Sequence, residues 1–205
     1  MATSQNVKVA VRVRPFNDRE KRMGAKNCIV MIPAVQQTVI TNPEDGKEKK
    51  FTFDYSYDSF VPRDDPMYAS QENVWADIGE SVLENAWNGY NCSLFAYGQT
   101  GSGKSYSMMG YGEDVGIIPK AGSEIFARIE ANSDKDLSYK VETSMLEIYM
   151  EKVRDLFNPG NKQDLKVRDH PKRGTYVEGL SKSACASYAD VQKVCWGCGA
   201  VAPLP

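Results

Sequence analysis

Gly98-Gln99-Thr100-Gly101-Ser102-Gly103-Lys104-Ser105 fits the pattern G-x-x-x-x-G-K-[ST] at every fixed position. No other stretch narrows the fold as much, because this pattern works only where a strand hands over to a helix. The glycines let the backbone fold back with its N–H groups turned inward, which makes a concave anion site. The N-terminus of the following helix adds partial positive charge. Lys104 has the reach to meet the β- and γ-phosphates of a nucleotide, and the Ser105 hydroxyl is placed to bind Mg²⁺. The flank agrees: residues 92–97 (CSLFAY) form a short apolar run that reads as a buried central strand.

The rest of the chain alternates strand and helix periods. Val7, Val9, Val11 and Val13 recur every second residue, as in a half-buried strand, and Pro15 ends the run. Short β-like runs follow at residues 29–32, 38–40 and 51–53, the last two separated by the turn Asn42-Pro43-Glu44-Asp45-Gly46. Ser70 is a candidate N-cap for a helix with Val74, Ile78, Val82 and Ala86 on one stripe, stopped by Asn88-Gly89. Pro119 opens another helix, with Ile125, Phe126 and Ile129 on its inner face. Residues 139–149 alternate as one long strand, closed by Leu156-Phe157-Asn158-Pro159-Gly160. Residues 165–167 and 176–177 pair as a hairpin around Pro171 and Gly174. Ser187 and Asp190 have the spacing of a capping box, which leaves room for about two helical turns before Gly197. This alternation predicts an α/β sheet with helices on both faces.

Composition excludes more than it selects. The 205 residues hold 25 Lys+Arg against 27 Asp+Glu, and a net charge of −2 offers no bulk attraction to nucleic acid or an anionic membrane. No run approaches the roughly 20 apolar residues of a membrane span, and no basic-then-apolar start marks a signal peptide. The charges are segregated: residues 1–50 carry 10 basic against 5 acidic residues, 51–160 carry 8 against 18, and 161–205 carry 7 against 4. Such segregation marks faces with different partners or an unevenly solvated surface. The cysteines, Cys28, Cys92, Cys185, Cys195 and Cys198, are odd in number and irregularly spaced, as expected of a reduced, cytosolic chain. Cys195 and Cys198 form C-x-x-C, but His170 is the only histidine, so a four-ligand zinc site is hard to assemble.

Hydrolysis of a nucleotide needs an acidic group near the Mg²⁺ shell and a residue that orients water. Asp54 sits among aromatics and Glu147 inside a strand, so both read as structural. A more specific reading comes from the loop's continuation. Residues 97–110, ending Tyr106-Ser107-Met108-Met109-Gly110, resemble the phosphate loop of the kinesin motor head. Arg12-Val13-Arg14-Pro15 is similar to that family's adenine-side motif. Phe51-Thr52-Phe53-Asp54 and the segment 147–156 (EIYMEKVRDL) resemble two further kinesin signatures in the expected order, although the family more often has Asn where Met150 stands. Ser105, Tyr106, the Met108-Met109 pair and Leu165-Lys166-Val167-Arg168-Asp169-His170-Pro171 are most similar to the vesicle-transporting third kinesin class.

The resemblance implies a P-loop NTPase with a kinesin-type mixed central sheet and helices on both faces. It implies ATP and Mg²⁺ as cofactors, the microtubule (tubulin) as partner, and the cytoplasm and cytoskeleton as location. Arg12, Arg14 and Pro15 would flank the adenine and ribose, and Tyr106 would stack on the base through its π-face. Lys166, Arg168, Lys172 and Arg173 would face the microtubule, giving the basic final segment an acidic partner.

The resemblance runs from about Val7 to Val194. Residues 1–194 are therefore expected to be the N-terminal part of a motor domain, and 195–205 a divergent tail. The family's switch motifs, an Asn followed by a Ser-Ser-Arg-Ser-His run and Asp-Leu-Ala-Gly-Ser-Glu, do not occur in the sequence, which implies an incomplete sheet and impaired hydrolysis. In the family's sheet both neighbours of the strand at 92–97 come from later sequence. Without them its buried N–H and C=O groups cost about 1–3 kcal/mol each, against a domain stability of about 5–15 kcal/mol. The chain alone is thus expected to be unstable, aggregation-prone or rearranged. Two other functions are open. A non-enzymatic module that binds nucleotide or microtubules would co-sediment without ATPase activity. An unrelated P-loop kinase or GTPase would be marked by strong preference for GTP over ATP.

Overall fold

The computed structural model describes residues 7–161, 163–172 and 174–197. Arg173, Cys198 and the tail beyond residue 197 lie outside the described residues. The chain divides into two compact units, one ending at Ile118 and the other beginning at Pro119.

The first unit opens with β1 (Ala10–Val13) and α1 (Asp18–Arg22). Asn17 caps α1 in a reciprocal box: its side chain accepts from Glu20 N, and the Glu20 side chain accepts from Asn17 N. β2 (Ile29–Ile32), β3 (Gln37–Thr41) and β4 (Glu48–Thr52) form an antiparallel meander, with the expected turn at 42–46 between the last two. β5 (Tyr55–Asp58) runs parallel to β1, with Val11 opposite Ser56 and Arg12 opposite Tyr57. β1 is shorter than the valine alternation predicts, and Val7 and Val9 are exposed. The ladder starts only at Ala10, opposite Tyr55, and Asp54 caps its end by accepting from Val9 N at 2.8 Å.

Ser70 caps the next helix as its sequence predicts, accepting from Asn73 N. The helix comprises α2 (Gln71–Val74), a π-helical turn (Trp75–Gly79) and α3 (Glu80–Trp87). The wider turn rotates the apolar stripe, so Val74 and Leu83 are buried while Ala86 lies exposed. Val74 joins Tyr57, Ala69 and Ile117 in the core of this unit, with Tyr55, Trp75, Ile78 and Leu94 packed against it. After residues 88–103 come α4 (Lys104–Met108) and a tight hairpin of β6 (Gly110–Tyr111) and β7 (Asp114–Val115). α5 (Ile117–Glu130) begins in the first unit and runs into the second.

The buried central strand expected at 92–97 does not form. Among the described residues no ladder includes it, and Phe95 and Tyr97 are 87% and 101% exposed. An apolar run becomes a buried strand only where neighbouring strands take up its backbone hydrogen bonds, and among the described residues the β1–β5 ladder does not extend to this segment.

In the second unit the long strand expected at 139–149 is two strands, because its halves take different partners. β8 (Val141–Thr143) and β9 (Leu146–Tyr149) part at Ser144-Met145, and β9 turns into β10 (Lys152–Asp155) as an antiparallel hairpin. β11 (Lys166–His170) and β12 (Gly174–Glu178) form the expected second hairpin. β13 (Ser183–Cys185) then pairs with β8, and α6 (Tyr188–Gly197) follows. The Asp190 carboxylate accepts from the N–H groups of Ala186 and Ser187, while Asp190 N donates to Ser187 Oγ, completing the expected cap.

The β9–β10 turn places Met150 at φ 50° and Glu151 at φ 62°. Two consecutive left-handed residues make a turn that favours Asn-Gly, so Met150 sits where an L side chain is strained. Met150→Asn combined with Glu151→Gly is expected to raise stability by about 1 kcal/mol. A urea melt would show this as a higher midpoint; a lower one would contradict the turn geometry.

Candidate functional site

The glycine-rich loop ends at Gly103, whose φ of 98° starts α4 from the left-handed region; Gly101, at φ 78°, has the same requirement. Ser102 N donates to Gln99 O at 3.1 Å and tightens the turn. Lys104 curls back over it, its Nζ donating to Gly98 O at 2.8 Å and Gln99 O at 2.9 Å. Ser105 is exposed in the first turn of α4.

Two arginines at the end of β1 take different roles, and only Arg14 braces the loop. Arg14 Nε donates to Gly101 O at 2.7 Å, and its two Nη atoms form a bidentate pair with Glu20, both bonds 2.7 Å. The hydrogen bond from Arg14, followed by that from Asn17 N, holds the Glu20 pKa down at about 2. A carboxylate with a depressed folded-state pKa stabilises fully above its ordinary range and loses that contribution only as pH falls toward the folded value. The clamp is therefore intact at neutral pH. Arg12 turns inward: it donates to Ser59 Oγ (2.8 Å), Gln71 Oε1 (2.7 Å), Ser107 Oγ (3.1 Å) and Ala69 O (3.3 Å). Its guanidinium also lies 5.2 Å from the centroid of the Tyr106 ring. Burial pulls its pKa below the ordinary guanidinium value.

A cavity of about 760 Å³ opens between these elements, and Arg12, Arg14, Pro15, Tyr106 and residues 101–104 all line it. Gly98, Gln99, Thr100 and Ser105 are outside its lining, although the first two carry the carbonyls that hold Lys104. The donor set suits a polyphosphate: a lysine ammonium, a glycine-rich turn and a serine hydroxyl at a helix start. Among the described residues no group of three or more His, Cys, Asp or Glu could hold a metal. A hydroxyl ligand such as Ser105 fits Mg²⁺ held largely by phosphate oxygens and water.

The kinesin motor domain family model matches residues 12–200. The chain belongs to the kinesin motor family. Kinesin-like protein KIF1B of Rattus norvegicus is 53% identical over 190 residues, a span covering 91% of this chain and 10% of that protein. Kinesin-related protein 1 of Dictyostelium discoideum is 52% identical over 200 residues, covering 91% and 9% respectively. Kinesin-like protein unc-104 of Caenorhabditis elegans is 48% identical over 189 residues, 91% of this chain and 12% of that one. Among solved structures, a KIF14 motor with ADP in complex with a microtubule superposes with a TM-score of 0.83 at 42% identity. The match covers 93% of this chain and 53% of that one. This kinesin chain thus spans about a tenth of the curated relatives' length and about half of the solved motor. The shared fold is the P-loop NTPase fold of kinesin motors.

In the second unit, the kinesin chain presents Lys166 and Arg168 on β11 and Lys172 in the following turn, all exposed. Arg168 Nε pairs with Glu178 Oε2 across the hairpin at 3.0 Å, a surface contact worth little to stability. Arg173, the fourth of this group, lies outside the described residues. None of the described helices is long and apolar enough to cross a membrane.

Sequence reasoning misses Arg63, which lines the cavity, and Asp114, which contacts the lining residues Tyr106 and Arg63. Tyr106 Oη donates to Asp114 Oδ2 at 3.0 Å. Arg63 grips the same carboxylate with both Nη atoms, Nη1 reaching Oδ1 at 3.1 Å. The available signal is a pair of glycines, Gly110 and Gly116, around β6 and β7. A Cβ on either would collide with backbone atoms of this hairpin or the end of α4, so the turn closes only with glycine there and brings Asp114 back to Tyr106.

Proposed function

We propose that this chain is the ATP-binding part of a microtubule-dependent motor, in which ATP binding and hydrolysis are coupled to movement along microtubules. The observation that supports it best is the gathering of loop residues 101–104, Arg12, Arg14, Pro15 and Tyr106 around one cavity. Lys104 would exchange its carbonyl partners for phosphate oxygens, which are ionised and therefore stronger acceptors. Ser105 would supply its hydroxyl to Mg²⁺. Bound Mg²⁺ supplies charge neutralisation on the phosphates. Arg14 and Pro15 would wall the ribose and base. Arg12, with its donors committed to protein partners, would act by holding β1, α2, α4 and the Tyr106 ring together. Lys166, Arg168, Lys172 and Arg173 would meet the acidic surface of tubulin, placing the protein on the cytoskeleton in the cytoplasm.

The sequence contains no match to the family's switch motifs, so its 205 residues are expected to show at most weak Mg-nucleotide binding and little hydrolysis. Nucleotide titration, microtubule co-sedimentation and phosphate-release assays on the purified chain test this. Weak but saturable Mg-ATP binding is the expected result, and co-sedimentation with no ATPase activity at all would favour the non-enzymatic module. Microtubule-stimulated phosphate release would sink the hydrolysis part, and a strong preference for GTP would favour an unrelated P-loop enzyme.

A further inference from the structure

The Tyr106 ring is held by groups outside the phosphate loop. Its hydroxyl is tied to Asp114, and Asp114 is tied in turn to Arg63. The Tyr111 ring stacks against it with centroids 6.2 Å apart and planes 25° apart, while Arg12 sits over it from β1. Arg63 and Tyr106 line the same cavity as the loop. A tyrosine fixed only at Cβ can turn about two side-chain bonds. One whose hydroxyl is bound to an anchored carboxylate presents its face in one orientation.

We propose that Asp114, anchored by Arg63, is a positioning residue that orients the Tyr106 ring for stacking on the base of a bound nucleotide, setting affinity for the base separately from affinity for the phosphates. The inference rests on the reading of the cavity as a nucleotide site and adds to it a residue that touches no part of the loop. The protonation states agree with the geometry. Hydrogen bonds from Arg63 hold the Asp114 carboxyl below its usual range, and burial together with Asp114 pushes the Tyr106 phenol up to about 12. The phenol is therefore a donor and the carboxylate an acceptor at neutral pH.

Calorimetric titration of the 205-residue chain with Mg-ATP and with inorganic tripolyphosphate separates base from phosphate recognition. Asp114→Asn is expected to weaken ATP binding about three- to tenfold, the scale of one aromatic stacking contact, and to leave tripolyphosphate binding unchanged. Tyr106→Phe keeps the ring but removes the tether, so it should show the same selective loss, and the double variant should lose no more than either single one. Unchanged ATP affinity in Asp114→Asn would overturn the proposal. So would equal weakening of both ligands, which would mark a structural role, or additive losses in the double variant, which would mean Asp114 acts by another route. Failure of the unaltered chain to bind tripolyphosphate would remove the phosphate-site reading itself, and the proposal with it.

Discussion

Lys104→Ala is expected to lower nucleotide affinity about 100-fold, as follows from losing two charge-assisted hydrogen bonds at about 1.5 kcal/mol each. In the structure Nζ donates to two neutral carbonyls, Gly98 O and Gln99 O. Both acceptors belong to an exposed or half-exposed stretch of loop, where water can replace the ammonium. The turn keeps its other ties, Ser102 N to Gln99 O and Arg14 Nε to Gly101 O. Folding should therefore change by no more than about 0.5 kcal/mol. Titration with a fluorescent nucleotide, paired with a thermal melt, distinguishes the two effects. Retained affinity in Lys104→Ala would sink the phosphate-site assignment, and a collapsed melt would show that the lysine is a structural brace.

Gly110→Ala should be the most damaging single change near the site. Gly110 has φ 83°, and an added Cβ would fall inside contact distance of Asp114 O and Gly116 N. Both are backbone atoms of the same short hairpin, so neither can swing away as a side-chain tip would. Left-handed strain and backbone overlap together are expected to cost about 3 kcal/mol or more. Gly112 provides the internal comparison: it also has positive φ, 53°, but open space around it. Gly112→Ala should cost only about 1 kcal/mol, the backbone component alone. Denaturant melts of the two variants should separate clearly. Equal midpoints would contradict the closeness of Gly110 to the backbone of residues 114–116.

Local signals survive the passage from sequence to structure better than long-range ones. The glycine-rich loop and the caps at Ser70 and Ser187 are local devices, written in adjacent residues, and they appear where their spacing places them. The stripe Val74, Ile78, Val82, Ala86 is only half correct, because a π-helical turn changes the angle between its first and last members. The segment at 92–97 has the composition of a central strand, but strand formation depends on partners at other positions, and composition carries no information about those. β5 shows the reverse case, a buried strand that no sequence pattern announces. Its Tyr-Ser-Tyr-Asp looks too polar for an interior, yet Ser56, Tyr57 and Asp58 are buried because Gln36, Thr38, Asp77 and neighbouring backbone groups satisfy their polar atoms. At the site, Arg12 and Arg14 read alike as part of one motif. Only packing separates an inward hub from an outward clamp.

Arg14 joins two segments that are far apart in the sequence: the first helix, through Glu20, and the phosphate loop, through the Gly101 carbonyl. A peptide unit is rigid and planar, so fixing one carbonyl fixes the orientation of the whole unit that carries it. Part of the loop's freedom is thereby removed when the chain folds rather than when a ligand arrives, which is the condition for tight binding by a small contact area. A change in the α1 segment that loosened Glu20 would then be felt as a slower, weaker grip on anions by a loop it never touches.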